Sequence, residues 1–488
     1  MLEELLPYFS TSEVSGAFIV VGALNMLMPT HPASSDQDQL QPQDYLPTFF
    51  HLWSLVNRSK AFDMIFFDLF SRLARDSLTS EHVQFSEFGI FTKDQSDLIF
   101  TALLRLTEIP VGQATSPYSQ MVDLGAGLGM FLERDKKKAP TGYSIARWIV
   151  MSLSPSCIDK TGSTLSNLEG LMQSIDTFFH PSNQGAWTDM LAQIVFHLVD
   201  FFVMRWNREQ SGEMDTPAER RINDELKKRF VLSLKEVMFM GLFSKKAKQL
   251  NYYFGTLQGL AFLEPHLIIP GALQRFYPSL QGLVEVHRTQ SSLCGLQLTA
   301  IIISKHKGLR CHITALLALA LPGIDANDLS KTLHTLNFIQ SVAYCVPFVD
   351  LTKGHHEIHD SSLAIQWVQG EMERMEREGP NVDIDYRTEL SDEDEATIVR
   401  SSTAGFGEFV MSLLGKIFTL LENLPELSRV RSGSPEESVI NTLPAALTPL
   451  FASLSPEIFD MALEKIATFV SGHVVHQARD AMAFICNS

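Results

Sequence analysis

Apolar residues recur along this chain at the spacing of one helix face and almost nowhere at the alternation of a strand. Leu191, Ile194, Val195, Leu198 and Phe202 fall at i, i+3, i+4, i+7 and i+11. Phe230, Leu234, Val237, Met238 and Gly241 fall at i, i+4, i+7, i+8 and i+11. Each set draws a single apolar stripe that a helix must bury against neighbours. Comparable stripes run through residues 44–77, 94–107, 162–179, 243–262, 287–304, 325–345, 405–423 and 456–485. Helices of about 15–20 residues joined by short turns predict paired helices stacked in a row. The expected fold is therefore all-α: an irregular HEAT-like helical-repeat solenoid, an α-α superhelix without a strict sequence period.

Helix starts are written as Ser or Thr followed by Pro and an acid, in Thr216-Pro217-Ala218-Glu219, Ser434-Pro435-Glu436 and Ser455-Pro456-Glu457. The hydroxyl caps, the proline lacks an N–H that would be unpaired there anyway, and the acid faces the positive helix end. Residues 29–43 read as a polar loop and 207–216 as a polar linker. The expected organisation is an N-terminal helical-repeat segment over 1–206, middle repeats over 217–350, an acidic and mobile insert over 351–400, and further repeats over 401–488. The last stripe, Ile466, Phe469, Val470, Val474, Ala481 and Phe484, is expected to await a successor repeat, as in a truncated array.

Composition excludes several classes. Lys plus Arg is 39 against 56 for Asp plus Glu, a net charge of −17, which argues against an overall basic nucleic-acid binder. Phe at 33 against Tyr at 9 and Trp at 5 favours aromatic packing between helices. Five dispersed cysteines without CxxC spacing exclude a disulfide scaffold or zinc ribbon and suit reduced thiols. The longest strongly apolar runs are 16–28, too short to span a bilayer, and 190–206, which carries His197 and Asp200; no membrane association is expected.

Three local motifs compete with that picture. Asp123-Leu-Gly-Ala-Gly-Leu-Gly129 resembles the glycine-rich turn of Rossmann-type methyltransferases, with Gly125 to Gly129 beside the cofactor, but no βαβ alternation surrounds it. A loop glycine cluster is the plainer reading. His355-His356-Glu357-Ile358-His359-Asp360 has HxxxH spacing but no further ligand cluster, so neither metal nor cofactor is expected. His197 and Asp200 suit an inter-helix hydrogen-bond pair better than a relay. No catalytic motif is expected, and the protein reads as a non-enzyme. Against the acidic background, nine cations crowd one stretch: Arg220, Arg221, Lys227, Lys228, Arg229, Lys235, Lys245, Lys246 and Lys248. They form either a solvated face or a polyanion site, with Lys228 near Arg221 and Lys235 at i ± 7.

The second half carries a family likeness. Tyr253-Phe-Gly-Thr-Leu-Gln-Gly-Leu-Ala-Phe-Leu-Glu-Pro265 leads into His266-Leu-Ile-Ile-Pro-Gly-Ala-Leu-Gln-Arg-Phe-Tyr-Pro278. Gly259 and Ala261 permit close helix approach, Glu264-Pro265 stops one helix, and Pro270 is placed to open the next. Leu321-Pro-Gly-Ile-Asp-Ala-Asn-Asp-Leu-Ser-Lys331 leads to Val346-Pro-Phe-Val-Asp350, and Ser455-Pro-Glu-Ile-Phe-Asp-Met-Ala-Leu-Glu-Lys465 leads to Phe469-Val-Ser-Gly-His473. These blocks resemble the middle HEAT region of the giant ATP-independent proteasome activators, the yeast bleomycin-sensitivity protein and its animal counterpart. The match is clearest over 250–488.

The resemblance implies a scaffold segment of an activator that caps the 20S proteasome core and regulates its gate and substrate entry without ATP or ubiquitin. It implies nuclear and cytoplasmic locations, roles in histone turnover and DNA repair, and inositol polyphosphates held in cationic openings. It also implies a C-terminal hydrophobic-Tyr-X docking tail and a region that reads acetyl-lysine, as on acetylated histones. Phe484-Ile-Cys-Asn-Ser488 matches neither, so the chain is expected to be a portion of such a protein. A HEAT-type adaptor or nuclear transport receptor, and a methyltransferase built on Gly125–Gly129, remain the alternatives.

Overall fold

The computed structural model describes residues 2–10, 14–31, 41–56, 60–109, 141–183, 185, 187–282, 286–353, 362–379, 382–425 and 429–472. The glycine motif at 125–129 and the histidines at 355–359 lie outside the described residues. Among those described, the regular structure is helical, with isolated bridges at Ser86–Gly89 and Phe348–Leu454 and no strand. The all-α, helical-repeat class expected from periodicity is the one observed. Two compact units form, residues 1–259 and 260–488.

The longer helices of the first unit are α1 (Val14–Leu27), α2 (Pro42–Val56), α3 (Lys60–Leu78), α4 (Lys93–Thr107), α5 (Thr141–Ser152), α6 (Thr164–Ile175), α7 (Trp187–Ser211), α8 (Asp224–Gly241) and α9 (Ala247–Leu263), whose last turn passes into the second. The most extensive packing runs α3 on α5 and α5 on α7, so alternate helices form one continuous row. Its core is aromatic, as the phenylalanine excess predicts. Phe50 stacks on Phe70 at 4.5 Å, Trp148 meets Phe91 and Phe100 edge-on, and Phe202 stacks on Phe230 at 3.9 Å. Each such buried ring contributes about 1.5–3 kcal/mol of transfer free energy. Both stripes read from sequence, on α7 and α8, are buried. A side chain on Gly259 would run into Val199, so this glycine is what lets α9 lie against α7.

The second unit holds α10 (Pro265–Gln281), α11 (Val286–Lys305), α12 (Ile313–Ala320), α13 (Leu329–Ala343), α14 (Ser362–Glu378), α15 (Asp392–Thr403), α16 (Phe406–Asn423), α17 (Pro435–Ser453) and α18 (Pro456–Gly472). Here α11, α13 and α17 form the continuous row. The Ser-Pro-acid signals at 434 and 455 do open helices, and Ser434 accepts from the Glu437 amide at 3.3 Å. Ile466 is buried and Phe469 stacks on Phe418 at 4.0 Å, while Val470 stays 46% exposed; Val474, Ala481 and Phe484 lie outside the described residues.

Four local expectations are corrected. Thr216-Pro217 opens only a turn, because Arg220 and Glu209 tie residues 220–222 to other elements, and the helix begins instead at Asp224 behind an Asn223 cap. Pro265, not Pro270, opens α10, which continues through Pro270 and Pro278. The unit boundary falls at 259/260 rather than in the polar stretch 207–216, half of which is the end of α7. Where it is described, the acid-rich 351–400 stretch is packed rather than loose: it supplies α14 and most of α15, and Tyr386 and Glu395 are buried, because its acids find cationic partners in the same unit.

α7 and the stretch Asp392–Asn423 have the length and composition of membrane spans. In α7 the apolar residues Leu191, Ile194, Val195, Leu198 and Phe202 are already packed inside the first unit.

Candidate interaction surfaces

The nine clustered cations do not form one face. Arg220 is 4% exposed and Lys235 3%, so neither is open to a ligand. Lys235 is enclosed although it shares its i+7 register with exposed Lys228, because the later turns of α8 are wrapped on more sides. Lys227 bonds Asp224 at 2.9 Å and lies 4.5 Å above the Trp206 ring. Arg229 grips Glu169 through Nε at 2.9 Å and Nη2 at 3.0 Å, which holds its guanidinium above its ordinary pKa. Lys246 reaches Thr188 at 3.3 Å and Asp189 at 3.8 Å. The exposed members are Arg221, Lys228, Lys245 and Lys248.

Arg220 has a structural task. Its Nη1 donates to the Ser80 carbonyl at 2.6 Å and the Ser77 carbonyl at 3.2 Å, and its Nη2 to the Val83 carbonyl at 2.7 Å. It thereby satisfies the orphan carbonyls that follow α3, as a cation at a helix C-terminus can. Its guanidinium also lies 5.0 Å from the Phe85 ring. One step deeper, Arg205 is fully buried; it donates to Glu209 at 2.8 Å and to the carbonyls of Val150, Leu153 and Arg220 at 2.7–2.8 Å. Glu209 in turn accepts from the Ile222 amide at 2.8 Å. Sequence reading missed this lock. Its only signal was an Arg-x-x-x-Glu pair at helix spacing where an apolar run ends.

The second unit has a comparable network nearer solvent. Glu395, 1% exposed, accepts from the Gly308 amide at 2.5 Å and pairs with Arg310, while Lys307 pairs with Asp392. Tyr386 donates to Glu371 at 2.5 Å, and Arg374 bridges to Glu389 at 2.7 Å. Burial raises the Glu371 carboxyl above its usual range despite that hydrogen bond.

Three side chains of catalytic type, Cys294, His197 and His312, are held in unreactive states. Cys294 lies 3.1 Å from His334 Nδ1, but burial pushes its thiol up to about 11, so it stays protonated at neutral pH. His197 has no hydrogen-bond partner on either ring nitrogen; it packs edge-on against Tyr143 and Phe196, and burial keeps it neutral. The pairing expected with Asp200 is thus replaced by aromatic contact. Fully buried His312 meets the Tyr277 hydroxyl at 2.9 Å and is pushed down to about 3 by burial. Among the described residues no cluster of three or more His, Cys, Asp or Glu could hold a metal.

Stacked helix rows, stapled by polar locks at their turns, define an all-α helical-repeat protein of the HEAT type. A family model described as "Proteasome activator complex subunit 4, mid HEAT repeats region" matches residues 168–488, and the chain belongs to that family. It is 27% identical over 489 residues to proteasome activator complex subunit 4B of Danio rerio, covering 97% of this chain and 23% of that protein. The Homo sapiens proteasome activator complex subunit 4 is 27% identical over 87% of this chain and 20% of its own length. The yeast proteasome activator BLM10 is 29% identical over 67% of this chain and 15% of its own length. The chain thus spans less than a quarter of the length of these curated relatives.

Proposed function

We propose that this chain is a non-catalytic scaffold segment of a proteasome activator, acting in the nucleus and cytoplasm. In this reading the activator caps the 20S core particle and governs its gate and substrate entry without ATP or ubiquitin. The observation that carries the reading is the match of the middle HEAT-repeat region over 168–488. Rows of packed helices suit a wall that keeps its curvature while presenting side chains to a large partner. An inositol polyphosphate would meet the exposed cations Arg221, Lys228, Lys245 and Lys248 in the basic stretch, with Arg220 and Lys235 committed to the interior.

Native purification through a tag on the chromosomal gene tests the proposal. Core-particle subunits should co-purify in stoichiometric amount, survive ATP depletion and hydrolyse fluorogenic peptides faster than latent core. A preparation free of core subunits but rich in a small GTPase would favour the transport-receptor alternative and overturn the proposal.

A further inference from the structure

In the first unit a cleft of about 860 Å³ opens between α2 and the 83–92 loop, with Arg220 and Glu219 along one side. That volume falls within the usual range for ligand sites, roughly 300–1,000 Å³. One wall is built unusually firmly. Ser86 and Gly89 exchange backbone hydrogen bonds at 2.8 and 3.0 Å, closing a tight turn with Glu87 and Phe88 at its tip. Gly89 has φ +69°, and a Cβ there would meet Ser152 at 3.0 Å, so only glycine fits easily. The Glu87 carbonyl is held by the Thr164 amide at 3.1 Å and the Cys157 thiol at 3.3 Å. Gln43 ties the Gln84 carbonyl to α2 at 2.8 Å, and Arg220 ties the Val83 carbonyl from below.

This anchoring presents two half-buried rings, Phe85 and Phe88, opposite Leu46 and exposed Pro47. Neither ring completes its burial within the chain, although most phenylalanines of this unit do. At the rim Glu219 is 71% exposed although 3.8 Å from Arg220, Glu87 lies at the turn tip, and exposed Glu81 also acts on Arg220. Of the nearby cations, Arg220 is engaged by carbonyls and Lys160 by Glu87 at 3.3 Å, while Arg221 and Lys93 are exposed.

We propose that this cleft binds an extended polypeptide segment carrying a bulky apolar side chain flanked by lysine or arginine. The apolar group would insert between Phe85, Phe88 and Pro47, and the flanking cations would face Glu219 and Glu81. Prior ordering of the turn removes much of the entropy cost that binding would otherwise incur. Acids at the rim select the charge of the flanks and speed encounter. The site stands on the first unit's geometry and does not depend on engagement of the core particle.

Fluorescence anisotropy on the full 488-residue chain tests it, with labelled peptides whose centre is Phe, Gly or Phe and whose flanks are Lys, Lys or Glu, respectively. The Lys-flanked Phe peptide should bind at least tenfold more tightly than either other peptide, and more weakly as salt is raised. Phe88→Ala should weaken it about tenfold, the loss expected for roughly 1.4 kcal/mol of apolar contact. Glu219→Lys, on an exposed side chain, should weaken it several-fold with the fold intact by circular dichroism, and Phe459→Ala on the second unit should change nothing. Equal binding of Phe- and Gly-centred peptides, no binding at millimolar protein, or insensitivity to Glu219→Lys would each overturn the proposal. Since Glu219→Lys leaves the turn itself untouched, it decides the matter even if Phe88→Ala fails to fold.

Discussion

The two units solve one problem in different dielectrics. Each must fasten non-helical chain to the helix rows, and each uses arginine and glutamate. In the first unit Arg205 and Glu209 have no exposed side-chain surface, and the arginine's remaining donors go to backbone carbonyls. In the second, Glu395 is sequestered at 2% but Arg310 is 42% exposed, and Asp392 beyond it is 95% exposed. A dry lock demands that every partner be present, because an unpaired charge there has no water to turn to. A half-wet lock tolerates loss and responds to salt.

Arg205→Met breaks the comparison hardest. Stranding Glu209 in the interior should cost about 3–5 kcal/mol, seen as a lower urea midpoint and loss of amide protection around 150–153 and 205–222. Adding Glu209→Gln should recover part of it, since the amide still accepts from Ile222 without a buried charge. A loss under about 1 kcal/mol would show that the lock is not dry.

Acid sharpens the contrast next. His266, His306, His312 and His334 of the second unit are all held below their ordinary pKa by burial, against His197 in the first among the described residues. For His312 the folded value is about 3, below the unfolded one, so the unfolded state binds the extra proton and stability falls as pH drops below about 6.5. The loss should reach about 2 kcal/mol at pH 5 from this group alone. His312→Gln should flatten that slope, and exchange of amides in 313–320 should rise before that of 191–202.

Arg310→Met should cost less, about 1–2 kcal/mol, because Glu395 keeps the Gly308 amide and water is close. Raising salt to 1 M should shrink this cost and leave that of Arg205→Met almost unchanged. Smallest of all, Lys228→Ser with Lys245→Ser and Lys248→Ser should move stability by less than about 0.5 kcal/mol, as exposed sites do. Calorimetry with inositol hexakisphosphate on that variant reads whether the exposed cations matter to a polyanion.

Helix content was legible because stripes such as Phe230–Leu234–Met238 need only local period to be seen. Ser434-Pro435 and Ser455-Pro456 were legible for the same reason: a cap is satisfied within one turn. Thr216-Pro217 carried the same local signal and failed, because Arg220 meets carbonyls more than 130 residues away. Asp392 and Glu395 read as part of a solvated run since their partners, Lys307 and Arg310, are some 85 residues distant. The basic patch failed as one surface for that reason too: Arg229 looked available until Glu169 arrived beside it. Neither the Phe85–Phe88 cleft nor the Arg205 lock has any sequence period, so folding had to assemble them.

Electron microscopy of native particles, purified through a tag on this chain, separates a proteasome-capping scaffold from any other helical-repeat assembly. Helical-repeat density is expected to cap an end of the 20S core particle, with helices of residues 168–488 traceable in its wall. Particles that contain this chain and no core particle, under conditions that preserve proteasomes, would contradict a capping role.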